Sequence, residues 1–520
     1  MSQEYFLGTD IGTLATKTIV VSSDGEIIGS SNEKYDVIQK NPTWAEQWPE
    51  VWEEGVYKSI SKCLDKADVS ADEVRGISIS GLYGGSGIPV DENFEPLHSC
   101  IIWMDRRATS QVQWIMENID IDEMFQITGN YVDTYYGFTK ILWLKENKPS
   151  VWDKTHKLVP PSSYVEYKLT DNLAIDYSSA GNIGGIFDIN ELEWSEVMCE
   201  ELGIPVEKMP EKLVRSEDVV GEITSEASRK CGLKKGTPVI AGGIDAPMAT
   251  LGAGAFERGD NVAMMGTSMC WGVIHEGENF SKKLVSMPHV ADPEKKVYTF
   301  GGAATAGAIV NWFKGQFGQM EEEVGKNTGI DPFKLLDMEA EDIPPGSEGL
   351  VVLPYFKGER CPIWDVNARG NVLGLTLYHT KAHLFRAFLE AVGYSLRHNI
   401  EVGGEMGLDV KDVCKIVGGI SSSSLWTEIL TDITGKKIVA PSGGVGAPLG
   451  NALLVGVGTD LFDDYDEIRS WIKSDEIFSP SKENQKIYDR YYEIYRKLYK
   501  DIKDDMHKLT EISEKNYHRS

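Results

Sequence analysis

The chain has 520 residues, too many for one compact core, and its 41% hydrophobic and 25% charged residues are the mix of a folded protein. With 80 acidic against 52 basic residues the net charge is −28, which repels phosphate backbones and anionic lipid and argues against nucleic-acid or membrane partners. The seven cysteines are scattered without a Cys-x-x-Cys pair, no run approaches the roughly 18 apolar residues of a membrane span, and no signal peptide opens the chain, so the expectation is a soluble cytoplasmic protein without disulfide framework or zinc site.

In chain order, residues 5–9 predict a strand, Asp10-Ile-Gly12-Thr13 a turn, Thr18 to Val21 a second strand, and Ser23-Asp24-Gly25 a hairpin turn before a third. Residues 50–67 carry helical spacing and Arg75 to Ser80 a further strand; alternation of this kind to about residue 250 argues an α/β fold. A second meander begins near Asn261, with Val262 to Met265, the turn Gly266-Thr267-Ser268, and Cys270 to Ile274. The two Gly-Thr turns lie close to half the chain apart, which reads as a duplicated domain opening each time with the same hairpin. No Pro/Gly/Ser-rich linker intervenes, so a tight hinge is expected near 246–256. Lys381 to Glu401 predicts an amphipathic helix with Phe385, Phe388, Leu389, Val392 and Leu396 on one face. The tail from Ser481 is helical, and Ile487, Tyr491, Tyr495, Leu498 and Ile502 form a stripe expected to dock against the body.

Two aspartates end apolar strands beside glycines, Asp10 in GTDIGT and Asp245 in PVIAGGIDAP. A carboxylate at the carboxyl end of a strand stands where α/β sheets open their ligand crevices, and the glycines let a ligand approach the backbone. The Gly-Thr hairpins offer amide N–H groups and a hydroxyl to phosphate. No G-x-x-x-x-G-K-[ST] occurs, and the nearest approach to G-x-G-x-x-G, Gly444-Val-Gly446-Ala-Pro-Leu-Gly450, has the wrong spacing. A nucleotide would then be held in the actin manner, between two domains. No His/Glu pair at helical spacing suggests zinc, and no G-x-S-x-G marks a serine hydrolase.

The sequence resembles the FGGY carbohydrate kinases, most closely their xylulokinase-like branch, over roughly residues 5–460. Residues 8–17, GTDIGTLATK, are similar to that family's phosphate hairpin, and Trp44-Ala-Glu46-Gln47 with Pro49 and Trp52 to its early Glu-Gln motif. Tyr136 to Asn147, with Lys140 and Trp143 in place, resembles its first signature, and Gly370 to Glu390 its second. Leu169-Thr170, Asp176-Tyr177-Ser178 and Gly358-Glu359-Arg360-Cys361-Pro362 follow in family order.

This resemblance implies an N-terminal FGGY domain over 1–250 on the sugar side, a C-terminal FGGY domain over 251–520 on the nucleotide side, both actin-like (ribonuclease H-like), and a catalytic cleft between them. It implies an ATP-dependent sugar kinase in which Asp245 is the general base and Asp10 holds Mg²⁺ through water. Gly12, Thr13 and Lys17 would face the β- and γ-phosphates. Gly266, Thr267, Gly307 and Asn311 would serve the nucleotide phosphates, and Gly418, Gly419 and Ser423 the α-phosphate and adenosine. Positioning and charge neutralisation are what phosphoryl transfer needs, with domain closure excluding water.

The sugar site departs from the pattern. Where xylulokinases carry Gly-Gln-Met-His-Gly this chain has Gly81-Leu82-Tyr83-Gly84-Gly85, and it is not the Arg-Glu of glycerol kinases either. Glycine at 84 is expected to enlarge the pocket while Tyr83 supplies a hydroxyl; Ala246 stands where many members have Asn or Gln, and Ile420 where Gly or Ala is usual. Trp103, Asp105 and Tyr135 are candidate walls of the sugar pocket, with packing roles open for each. D-xylulose is the default acceptor; ribulose, fuculose, gluconate, erythritol or glycerol, and a non-catalytic sugar or ATP sensor, are the alternatives. Members of the family are often dimers, so a homodimer is a possible assembly.

Overall fold

A computed structural model describes residues 4–41, 43–277, 279–442 and 446–517 of the chain. Gly444 and Val445 of the near-match to the dinucleotide fingerprint lie outside them. Two compact units emerge, and neither is one continuous half: the first takes 1–258, 274–299 and 442–473, the second 259–273, 300–441 and 474–520.

In the first unit the predicted meander forms: Tyr5–Ile11, Ala15–Ser22 and Ile27–Lys34 pair antiparallel in succession. Val74–Gly81 runs parallel beside Tyr5–Ile11, and Pro238–Ile240 parallel beside Val74–Gly81. Phe6, Leu7, Ile77, Ile79 and Val239 are buried because helices cover both faces of these strands. On one face lies Pro49–Ala67, started by proline, stopped by Asp68 in the left-handed region (φ 52°), and burying Trp52, Val56, Ile60 and Cys63 at helical spacing. On the other lies Ala447–Gly458. A Cβ on Gly8 would collide with the Pro448 carbonyl, so only glycine permits this approach. Asn451 then fastens the helix, donating to the Thr9 carbonyl (2.9 Å) and Ser80 Oγ (2.7 Å) and accepting from Ser78 Oγ (3.0 Å).

The second unit repeats the pattern. Asn261–Met265 pairs antiparallel with Met269–His275 and parallel with Val413–Val417, which is followed in parallel by Lys437–Ser442. This is the pairing of the first unit strand for strand, so the repeated Gly-Thr turn does mark a repeated actin-like frame. Lys381–Glu405 is a helix of 25 residues, four longer than expected. Its expected face is buried, yet Arg386, Glu390, His398 and Asn399 are buried as well, so it is enclosed on more than one side. The tail forms the helix Lys482–Tyr517. Its buried face is Tyr488, Tyr492, Tyr495 and Leu498, with Ile487 and Tyr491 only half-buried at the edge of the stripe. Tyr488, off the expected stripe, donates to buried Glu390 (3.0 Å), while Tyr495, on it, meets the hydroxyl of Tyr355 (3.0 Å).

The segment expected to form a tight hinge, 246–256, falls in the first unit just before its opening stretch ends at Arg258. Asp245–Gly252 is a helix belonging to the first unit, and it crosses Ala447–Gly458 so closely that a Cβ on Gly252 or Gly450 would strike the opposing backbone. No described helix is long and apolar enough to cross a membrane.

Candidate active site

Asp10 sits next to last on its strand, opposite Lys17 on one side and Ser80 on the other. Ser80 Oγ donates to its carboxylate at 2.7 Å. Burial raises its pKa to about 6, outweighing the opposing effects of Ser80 and Lys17. Beyond it the Gly12–Thr13 turn is closed by the Gly12 N–H on the Ala15 carbonyl (3.0 Å) and braced from outside. Tyr35 donates to the Gly12 carbonyl (2.7 Å), Gln47 to the Thr13 carbonyl (2.9 Å), and the Trp103 indole N–H to Thr13 Oγ1 (3.0 Å). Trp103, expected at the sugar, thus holds a residue expected at the phosphate.

Asp245 opens its helix directly after Gly242-Gly243-Ile244. Gly242 has φ +65°, and a Cβ there would strike the Ile79 carbonyl. The Gly81 N–H donates to the Gly243 carbonyl (3.0 Å), and Gly81 bridges Ile244. Asp10 pairs with Ser80, and Gly81 bridges Ile244, so the two aspartates stand at the same end of the sheet on either side of Val74–Gly81. Ser178 anchors the approach: its Oγ accepts from the Ile244 N–H (3.1 Å) and donates to Asp176 (2.5 Å), whose carboxylate also caps the Tyr177–Asn182 helix.

The expected sugar wall is only partly assembled as foreseen. Tyr83, Gly84, Trp103 and Tyr135 do come together, but Gly84 does not open space. Its φ is +78°, and a Cβ there would lie 3.0 Å from the Tyr135 ring and 3.1 Å from Trp103 Cβ, so Tyr135 fills the room a side chain would take. The Tyr83 hydroxyl is buried without a hydrogen-bond partner among the described residues, and burial pushes its pKa well up. Asp105 faces inward and is not a pocket wall: fully buried, it accepts from the Ala45 N–H (2.6 Å) and the Arg107 guanidinium (2.7 Å). Arg107 also pairs with Glu46 (2.7 Å) and lies over the Trp44 ring (3.8 Å), so the Trp44-Ala-Glu46-Gln47 motif is the brace behind the hairpin.

Ser80 escaped the sequence reading as a site residue, because serine in an apolar strand carries no periodic signal; Ser178 falls within the Asp176-Tyr177-Ser178 motif, which gives it no role. Lys140 had one: a lysine inside Phe138-Thr-Lys-Ile-Leu-Trp143 has no solvent face to occupy, and it is fully buried.

In the second unit a cavity of about 220 Å³ is lined by Gly266, Thr267, Gly307, Asn311, Gly419 and Ser423. The Gly307 N–H donates to the Gly266 carbonyl (2.9 Å) and the Ala308 N–H to the Thr267 carbonyl (3.0 Å), seating the Gly307–Phe317 helix on the turn. Ser423 caps Ser424–Thr434, accepting from the Trp426 N–H (3.1 Å). Gly418 lies behind the lining, at φ +110° against the Met265 carbonyl. Phe333, Phe385 and Trp426 give the cavity aromatic walls, and Ile420 contributes to them. Asp337 also lines it, its pKa raised by burial against a hydrogen bond from Ser423.

Comparison with known proteins matches residues 5–252 to the N-terminal and 261–459 to the C-terminal domain of the FGGY family of carbohydrate kinases. A xylulose kinase from Bacillus subtilis is 31% identical over 506 residues, covering 96% of this chain and 98% of that protein. A gluconokinase from Bacillus licheniformis is 29% identical over 528 residues, covering 99% and 98%. The crystal structure of gluconate kinase from Lactobacillus acidophilus superposes with a TM-score of 0.87 at 25% identity, covering 98% of this chain and all of that one. The chain belongs to the FGGY family of carbohydrate kinases, ATP-dependent phosphotransferases with an alcohol group as acceptor.

Proposed function

We propose that this kinase phosphorylates a ketopentose, with D-xylulose as the first acceptor to test, and works in the cytoplasm on ATP and Mg²⁺. The observation that carries the reading is the pair of aspartates, Asp10 and Asp245, at the same end of one sheet on either side of the Val74–Gly81 strand, with the braced Gly12–Thr13 turn just beyond Asp10. Asp245 takes the proton from the attacking hydroxyl, a task that needs only a carboxylate within hydrogen-bond reach. Gly12, Thr13 and Lys17 receive the β- and γ-phosphates. In the second unit Gly266, Thr267, Gly307 and Asn311 receive the nucleotide's phosphates, and Gly419 and Ser423, with Gly418 behind them, the α-phosphate and adenosine; aromatic Phe333 and Trp426 suit an adenine.

The donor set fits Mg²⁺, which is usually bound by one or two carboxylates with the remainder supplied by water and phosphate. Asp10 is such a carboxylate, half-buried and raised in pKa by burial, so a cation beside it relieves the cost of its charge. Mg²⁺ held there would neutralise phosphate charge. Trp103, Tyr135 and Tyr83 form the sugar wall around Gly84, and Asp105 is left out of it.

Gluconate is the second reading, favoured by the gluconokinase relatives. Against it, the cations near the wall are already engaged: Arg106 pairs with Asp133 (2.6 Å), and Lys140 is buried on two carbonyls. A coupled ADP-release assay over pentuloses, polyols and sugar acids decides. D-xylulose turned over at the highest kcat/KM supports the proposal; gluconate ahead of every ketopentose overturns it.

A further inference from the structure

We infer that Lys140 is a positioning residue for the sugar pocket, clamping the Gly84 and Tyr135 backbones so that the Tyr135 ring takes the place of the side chain missing at 84. The inference rests on the kinase reading above. Lys140 Nζ donates to the Gly84 carbonyl at 2.6 Å and to the Tyr135 carbonyl at 2.5 Å, and its side chain is wholly enclosed. These carbonyls belong to two segments distant in sequence that meet where Gly84 packs against the Tyr135 ring. Gly84 presses on the Tyr135 ring and Trp103. Gly85 is confined next to it, since a Cβ there would come within 2.7 Å of the Ile101 carbonyl. On the remaining side the first turn of the Gly137–Asn147 helix abuts the same loop, where a Cβ on Gly137 would collide with the Gly85 carbonyl.

A lysine is costly in this setting. Burial lowers its pKa to about 7, with Asp105 opposing the shift. The clamp tolerates either protonation state, because ammonium and neutral amine both have at least two N–H groups, one for each carbonyl. Methionine would pack as well and charge nothing, so packing alone does not account for lysine here.

The test is steady-state kinetics of Lys140→Met and Lys140→Gln with the acceptor that the unaltered enzyme turns over fastest. Lys140→Met is expected to raise the acceptor KM about tenfold or more and leave the ATP KM within about twofold; Lys140→Gln, shorter but still a two-hydrogen donor, should recover part of the loss. An acceptor KM unchanged in Lys140→Met overturns the inference, as does an equal rise in both KM values. If Lys140→Met does not fold, Gly84→Ala carries the test by pushing on the Tyr135 ring: a raised acceptor KM supports the clamp, and an unchanged one overturns it. Absence of acceptor-dependent turnover in the unaltered protein is a separate result, and removes the kinase reading together with this one.

Discussion

The two Gly-Thr hairpins share a frame and differ in what they carry. In the first, Asp10 pairs laterally with Lys17 and Ser80. In the second, the residue two before the turn glycine is Met264, and its lateral partners are Cys270 and Val417. An acid, a base and a hydroxyl at one turn correspond to a thioether, a thiol and an isopropyl group at the other. The strand pairing therefore does not require the charged set, which imposes a desolvation cost on Asp10 that the second copy avoids. What the frame supplies to both is a Gly-Thr turn closed by its glycine N–H; the charged set stands at one and an aromatic cavity at the other.

This contrast can be broken experimentally. Asp245→Ala, which removes the proposed base, should lower kcat by about 10²–10⁴-fold while ATP affinity, measured by calorimetry, changes little. Retained turnover would show that proton transfer does not pass through this carboxylate. Asp10→Met copies the second turn into the first. Turnover should fall by on the order of 10²-fold, in keeping with a lost charge-stabilising contact, while the melting temperature at neutral pH stays equal or rises.

The pH dependence sharpens the same point. Because its folded pKa is raised, Asp10 contributes stability that is present below its ordinary value of 3.8 and lost as pH rises through about 6. Melting curves of the metal-free protein should therefore show a component of falling stability across that window, and Asp10→Met should lack it. Trp103→Phe deletes the indole N–H held by Thr13 together with part of the ring, and a loss of roughly 1 kcal/mol or more, about fivefold or more in kcat/KM, is expected. The smallest effect belongs to the second copy: Ser423→Ala removes a helix cap and should cost about 1 kcal/mol in stability by denaturant titration.

Much of this was legible in the chain. The hairpins announced themselves because strand, glycine turn and strand are local patterns, and Asp10 and Asp245 because a carboxylate after an apolar strand is conspicuous. What failed was anything set by a distant neighbour. Gly84 suggested an open pocket, but the Tyr135 ring approaches from a segment some fifty positions on. Asp105 looked like a wall residue until its partners Ala45 and Arg107 were in place. The buried face of the tail keeps Tyr495 and Leu498 from the expected stripe but takes Tyr488 in place of Ile487, because the Tyr488 hydroxyl finds Glu390.

The return of Ala447–Gly458 to the opening strand has a consequence for biosynthesis. Asn451 reaches the Thr9 carbonyl, and Thr459 accepts from the Arg75 guanidinium (2.8 Å). Thr9 thus acquires a partner that is translated 442 residues after it. Until then one face of the opening sheet stays bare, so an isolated 1–258 fragment should be insoluble on its own, and nascent chains stalled before 447 are natural clients for chaperones.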